Sequence, residues 1–125
     1  MSEAPVTAAR YVSLATQRRD GREVRTPVWI AGSGNTHYVF SEARAGKVKR
    51  IRAQGRARLA ACTAQGRVRG DWHDARARIV EDAASITAAY RALYAKYGWQ
   101  MRLIDWLSKL TGRYDGRAII ELELT

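Results

Sequence analysis

The sequence predicts a mainly β protein with added helices, an α+β fold built round a small antiparallel barrel. Three observations predict it. Apolar and polar residues alternate at period two over most of the chain up to Glu81. Turn dipeptides such as Asp20-Gly21 and Gln65-Gly66 separate those runs. A helical period shows in only two places, around Val48 and from Ile86 onward.

The elements follow in order. Arg10 to Thr16 is a strand, with Tyr11, Ser13 and Ala15 on one side and Val12, Leu14 and Thr16 on the other. Asp20-Gly21 turns the chain into a second strand, Arg22 to Ala31, whose Pro27 cannot donate to a ladder and therefore marks an edge, a bulge or a ligand. Gly32 to Asn35 is the next turn and Thr36 to Ser41 the third strand. Ala45 to Arg52 carries Val48 and Ile51 at helical spacing among basic residues, a short helix ended near Gly55. Arg56 to Cys62 is a strand, and Arg67 to Val80 a long one. Ile86, Tyr90, Leu93 and Tyr97 predict a helix over 84–97. A second helix follows Gly98 and stops at Gly112. Trp99, Leu103 and Trp106 are expected to pack that helical pair onto the barrel, the alternative being that they wall a hydrophobic substrate pocket. Arg117 to Leu124 closes the chain as a strand with one wet face. About six antiparallel strands with such a return suggest a small closed barrel.

The chain has 125 residues and is expected to form one domain over 1–125, since domains peak at roughly 100–150 residues. No run approaches the ~18–20 apolar residues of a spanning helix, so no membrane partner is expected. The start shows neither a basic nor an apolar signal region, and Cys62 is the lone cysteine, so a cytoplasmic setting is expected. His37, His73 and Cys62 show no metal-ligand spacing, and no P-loop or GxSxG motif occurs. What stands out is charge: 22 Lys and Arg against 12 Asp and Glu, a net +10. Such a domain should meet something anionic.

From Ala43 to Gly70 there is no acidic residue, while Arg44, Lys47, Lys49, Arg50, Arg52, Arg56, Arg58, Arg67 and Arg69 are all basic. A helix starting near Gly46 points free N–H groups and the positive end of its dipole at whatever precedes it. Ser41 can offer a hydroxyl there, and Lys47 and Arg50, three apart, are neighbours on the helix surface. Together these describe a phosphate site. A solvated basic face is the plainer reading of the same run. A nucleic-acid surface is a third, but 43–58 holds no aromatic residue on which bases could stack.

With these segments in place, the sequence resembles the pyridoxamine 5′-phosphate oxidase-like split β-barrel proteins, and within them the branch that uses the deazaflavin coenzyme F420. The resemblance rests on Tyr11–Thr16, Asp20-Gly21 with Val24–Trp29, Tyr38–Glu42, Ala45–Arg52, and Gly66–Gly70 with the strand to Glu81, in the family's order. It implies that Arg25, Thr26, Pro27, Val28 and Trp29 line the ring system of a cofactor. It also implies that Ser41, Lys47, Lys49 and Arg50 hold its phosphate and acidic tail. FMN-binding relatives show Ser-Arg-Lys where this chain has Ala45-Gly46-Lys47, which favours F420, with FMN as the alternative. The implied chemistry is F420H2-dependent hydride transfer to an unidentified organic substrate, in a homodimer with sites at the interface. No catalytic side chain is assigned; Tyr38, His37 and His73 are the available general acids. A basic nucleic-acid-binding barrel or a non-catalytic cofactor carrier are the readings from other classes.

Overall fold

The computed structural model describes residues 6–112 and 116–125. After a single 3-10 turn at Val6–Ala8, the elements are β1 (Tyr11–Gln17), β2 (Glu23–Val28), β3 (Ala31–Ser33), β4 (Thr36–Glu42), α1 (Gly46–Gln54), β5 (Arg56–Cys62), β6 (His73–Val80), α2 (Ala83–Tyr97), α3 (Trp99–Thr111) and β7 (Arg117–Leu124). The strands form one antiparallel sheet in the order β2-β1-β5-β6-β7-β4-β3.

Strands β2 and β3 are the two opposite edges of that sheet, yet only Trp29 and Ile30 separate them in the chain. A few residues span at most about 10 Å. The sheet must therefore curl until its edges nearly meet, and the barrel is split where they do. This corrects two expectations. The stretch 22–31 is not one strand, and the closed barrel suggested by the strand pattern is instead the split barrel that the family resemblance implied, with seven strands rather than about six. The break occurs because Ile30 bonds to α2 instead of to a neighbouring strand: its N–H donates to the Tyr97 hydroxyl at 3.0 Å and its carbonyl accepts from Lys96 Nζ at 2.7 Å. Pro27 lies on the edge strand, opposite Ser13, where its missing donor costs nothing.

Inside the curl, Val12, Leu14, Val39, Leu59, Ile120 and Leu122 meet Ile30 and the small Ala57, Ala75 and Ala77. Helix α1 adds Val48 and Ile51 to this core, and Gly55 ends it in the left-handed conformation (φ 70°) that glycine adopts most easily. Helix α2, capped by Asp82 accepting from Ser85 N–H at 2.9 Å, packs Ala89, Leu93 and Tyr97 on the outer side of β3 and β4. The predicted long strand from Arg67 shortens, since the ladder with β5 begins at His73. Residues 63–72 instead fold back: Arg69 N–H donates to the Ala61 carbonyl at 2.7 Å, and Trp72 packs against the guanidinium groups of Arg25 and Arg58. No described helix is long and apolar enough to cross a membrane.

Candidate functional site

Where the end of β2, the end of β4 and the start of α1 converge, they leave a cleft of about 390 Å³. Its lining includes Pro27, Val28, Trp29, Ser41 and Lys47. Five of the nine residues expected at a cofactor site are thus brought together by segments far apart in sequence. The other four are placed elsewhere. Arg25 pairs with Glu23 at 3.1 Å and covers Trp72, Thr26 sits opposite Leu14 on the inward side of β2, and Lys49 points into solvent. Arg50 stands behind the cleft: its Nε donates to Thr16 Oγ1 at 2.7 Å and its guanidinium folds over Gly46.

Trp29 forms the aromatic wall. It stacks flat on Tyr97, with centroids 4.3 Å apart and planes 6° from parallel, and meets Phe40 edge-on at 6.4 Å. Arg117 backs Phe40 from the other side, 4.6 Å above its ring. Tyr11, Phe40 and Ile104 complete the apolar part. The sequence signal for Tyr11 was present though indirect, because the pairing of Val12 with Val28 carries Tyr11 next to Trp29.

The polar end is the start of α1. Ala45 precedes the helix and offers no side-chain cap, and no acidic residue lies in the first turn. The Val48 N–H turns back to the Ala45 carbonyl at 3.1 Å, so the first-turn N–H groups that remain available to an anion are those of Gly46 and Lys47. Lys47 is half-buried, and among the described residues it has no hydrogen bond or ion pair. Burial, and then repulsion from Arg50, hold its ammonium below the usual lysine range, with Glu42 opposing. Burial, and then Arg18, also lower Arg50. The Lys47 charge, disfavoured by burial and by Arg50 but favoured by Glu42, which also lines the cleft, is one that an anion beside the uncapped helix end would stabilise. Ser41 is buried, and its hydroxyl makes only a long 3.4 Å contact to the Glu42 carbonyl.

The expected general acids do not reach this cleft. His37 is buried on the inward face of β4, with Nδ1 lacking a partner, and burial followed by Lys96 lowers its pKa. His73 is exposed at the start of β6, and Tyr38 faces α2. Cys62 is buried, and burial raises its thiol, in keeping with a small apolar filler. Nor are all nine basic residues of the acid-free run left uncompensated. Arg58 pairs with Glu23 at 2.9 Å and Arg52 with Glu81 at 3.6 Å, carboxylates brought in from other segments. Two larger depressions, of about 500 and 640 Å³, lie over β5–β6 and over β3–α2. The first contains the Arg58–Glu23 pair, and in the second the Lys96 ammonium is already held by three carbonyls. Among the described residues, the cleft of about 390 Å³ is the one that combines a partnerless cation, an uncapped helix and a stacked aromatic wall.

The sequence matches the pyridoxamine 5′-phosphate oxidase family over residues 2–125. The chain belongs to that family. No curated protein matches it by sequence. Among solved structures, a conserved hypothetical protein of Mycobacterium tuberculosis superposes with a TM-score of 0.68 at 20% identity, covering 97% of this chain and 79% of its own. HutZ, a heme storage protein of Vibrio cholerae, gives 0.65 at 16% identity, covering 93% and 82%. A structure named F420 reductase gives 0.57 at 18% identity over 100% of this chain and 96% of that one. At such identities the likeness shows a shared split-barrel fold. The fold carries more than one ligand, so the ligand here must be argued from the cleft.

Proposed function

We propose that this protein binds coenzyme F420 in the cleft between β2, β4 and α1 and acts as an F420H2-dependent oxidoreductase. One observation carries the reading: Lys47, half-buried and without a partner among the described residues, stands at the uncapped start of α1 beside the Trp29 wall. The first-turn N–H groups, Lys47 and the Ser41 hydroxyl would hold the phosphodiester. Pro27, Val28 and Trp29 would lie against the ring, with Tyr97 fixing the wall from behind. When bound, the reduced deazaflavin supplies a hydride. The protein's part is to orient the ring, exclude water and hold the anionic tail. The likeness to the F420 reductase supports this reading, and the chemistry of the cleft supports it independently.

Gly46 bears on the choice between F420 and FMN. A Cβ at position 46 would stand 2.7 Å from Arg50 Nη1, so glycine there gives the Arg50 guanidinium its place beside the helix end. The positive charge that FMN-binding relatives carry at that position is here delivered from one turn further along and set back from the cleft. A longer, more anionic tail suits that arrangement better than a compact monophosphate. A homodimer belongs to the same proposal, with a second copy covering the open side of the cleft next to edge strand β2. The nucleic-acid reading has less support, because Trp72, the aromatic residue nearest the basic run, already packs on two guanidinium groups.

The test is a fluorescence-polarisation titration with F420, beside FMN and an arbitrary single-stranded oligonucleotide. Saturable binding of F420 well below the concentration needed for the other two supports the proposal. Tight FMN, or salt-sensitive oligonucleotide binding without F420 affinity, would replace it.

A further inference from the structure

Helix α3 was expected to pack its tryptophans on the barrel, and it does the reverse. Trp99, Leu103, Trp106, Leu107 and Leu110 are 71%, 45%, 59%, 47% and 66% exposed. At ~100° per residue they share an arc about 100° wide. The opposite face, with Met101, Ile104 and Asp105, is the one turned toward the protein. Asp105 is the only acidic residue of the helix, and it is buried against Arg117 at 2.6 Å and accepts from the Tyr94 hydroxyl. The exposed charges of α3 are therefore Arg102 and Lys109, both basic.

We propose that this face of α3 docks on an anionic lipid surface, with the helix lying in the headgroup plane. A helix with Trp and Leu on one face and basic residues beside them is the kind that settles at a bilayer interface, where indole rings have an apolar body and a polar edge. Charge agrees: the chain carries +10, and no exposed carboxylate of α3 would repel an anionic headgroup. The same facts argue against a second copy as the occupant. A two-fold contact along α3 would bring the exposed Arg102 of each copy against another chain of net charge +10, with no exposed acidic residue on either α3 to offset it. The lack of any spanning segment, which led the sequence reading to expect no membrane partner, leaves this open, because lying on a surface needs only one amphipathic helix. Ile104 lines the cleft from the opposite face of α3, so docking would leave the cleft one helix thickness, roughly 10 Å, from the bilayer surface. The proposal does not depend on the identity of the cofactor.

Co-sedimentation of the full chain with vesicles tests it, comparing phosphatidylglycerol mixed with phosphatidylcholine against phosphatidylcholine alone, at low and high salt. The protein should bind the anionic vesicles and lose binding as salt rises. A Trp99→Ser/Trp106→Ser variant with an unchanged circular dichroism spectrum should bind at least about tenfold more weakly. Brominated acyl chains should quench the wild-type tryptophan emission. Failure to bind anionic vesicles overturns the proposal. So does undiminished binding by the double variant, which would reduce the effect to general polycation attraction, and so does absence of bromolipid quenching. A wild-type dimer that the double variant converts to monomers would assign the face to a second copy instead.

Discussion

Tyr97 lies flat on Trp29, ring centroids 4.3 Å apart, while its hydroxyl accepts from Ile30 N–H at 3.0 Å and donates to the Arg10 carbonyl at 2.8 Å. One residue of α2 thus supports the aromatic wall of the cleft and satisfies the backbone at the crossover that splits the barrel. Tyr97→Phe keeps the stack and leaves the buried Ile30 N–H without its acceptor. The expected loss is about 1–3 kcal/mol, read from the urea midpoint. A midpoint equal to wild type would show that the hydroxyl does not hold the crossover.

Lys96 ties the same crossover from one position earlier, donating to the carbonyls of Thr7, Ala9 and Ile30 at 2.8, 2.7 and 2.7 Å. Burial, and then Arg10, push its pKa down from 10.5 to about 8. The sign follows from linkage. Between about 8 and 10.5 the unfolded chain binds more protons than the folded one, so stability should rise with pH through that window. Tyr97 works the other way: burial raises it from 10.0 to about 12, so its contribution falls away above pH 10.0. Urea midpoints measured from neutral to alkaline pH should climb from about 8 and level off near 10, and Lys96→Met should flatten the climb. A steady decline across the window in the wild type would contradict the assignment.

Asp105 and Arg117, each with a side chain only 6% exposed, join α3 to β7 behind Phe40. Asp105→Ala removes the carboxylate that pairs with Arg117 at 2.6 Å. Breaking such a buried pair from one side costs about 3 kcal/mol or more. Thermal unfolding should show a clear drop in Tm, whereas Arg78→Ala, which breaks the outer Arg78–Glu121 pair, should scarcely move it. Equal effects from the two substitutions would mean that burial at Asp105 does not matter.

Local chemistry made part of this fold legible. The bounds of β5 match the sequence reading, and α1 ends at Gly55, because alternation and a left-handed glycine act over a few residues. The split after Val28 was not legible. It depends on Tyr97 and Lys96, whose contacts to Ile30 cross 67 and 66 residues of sequence. The site behaved alike. That Ser41 and Lys47 would line one cleft could be read from a strand end and a helix start, but whether Arg25 or Arg50 faced it depended on Trp72 and Thr16 competing for their guanidinium groups. For α3 the pattern revealed an apolar face, and periodicity alone could not say whether protein or solvent would meet it.

The central claim is that Lys47, rather than the basic segment as a whole, anchors an anionic cofactor. Lys47 and Lys49 stand two residues apart on α1, the first half-buried in the cleft and the second exposed outside it. F420 polarisation titrations on Lys47→Ala and Lys49→Ala test the claim directly. Loss of the buried charge–phosphate contact should weaken binding at least about tenfold in Lys47→Ala, and Lys49→Ala should stay close to wild type. If the two substitutions weaken binding equally, or neither does, the cleft beside α1 is not where the cofactor's phosphate is held.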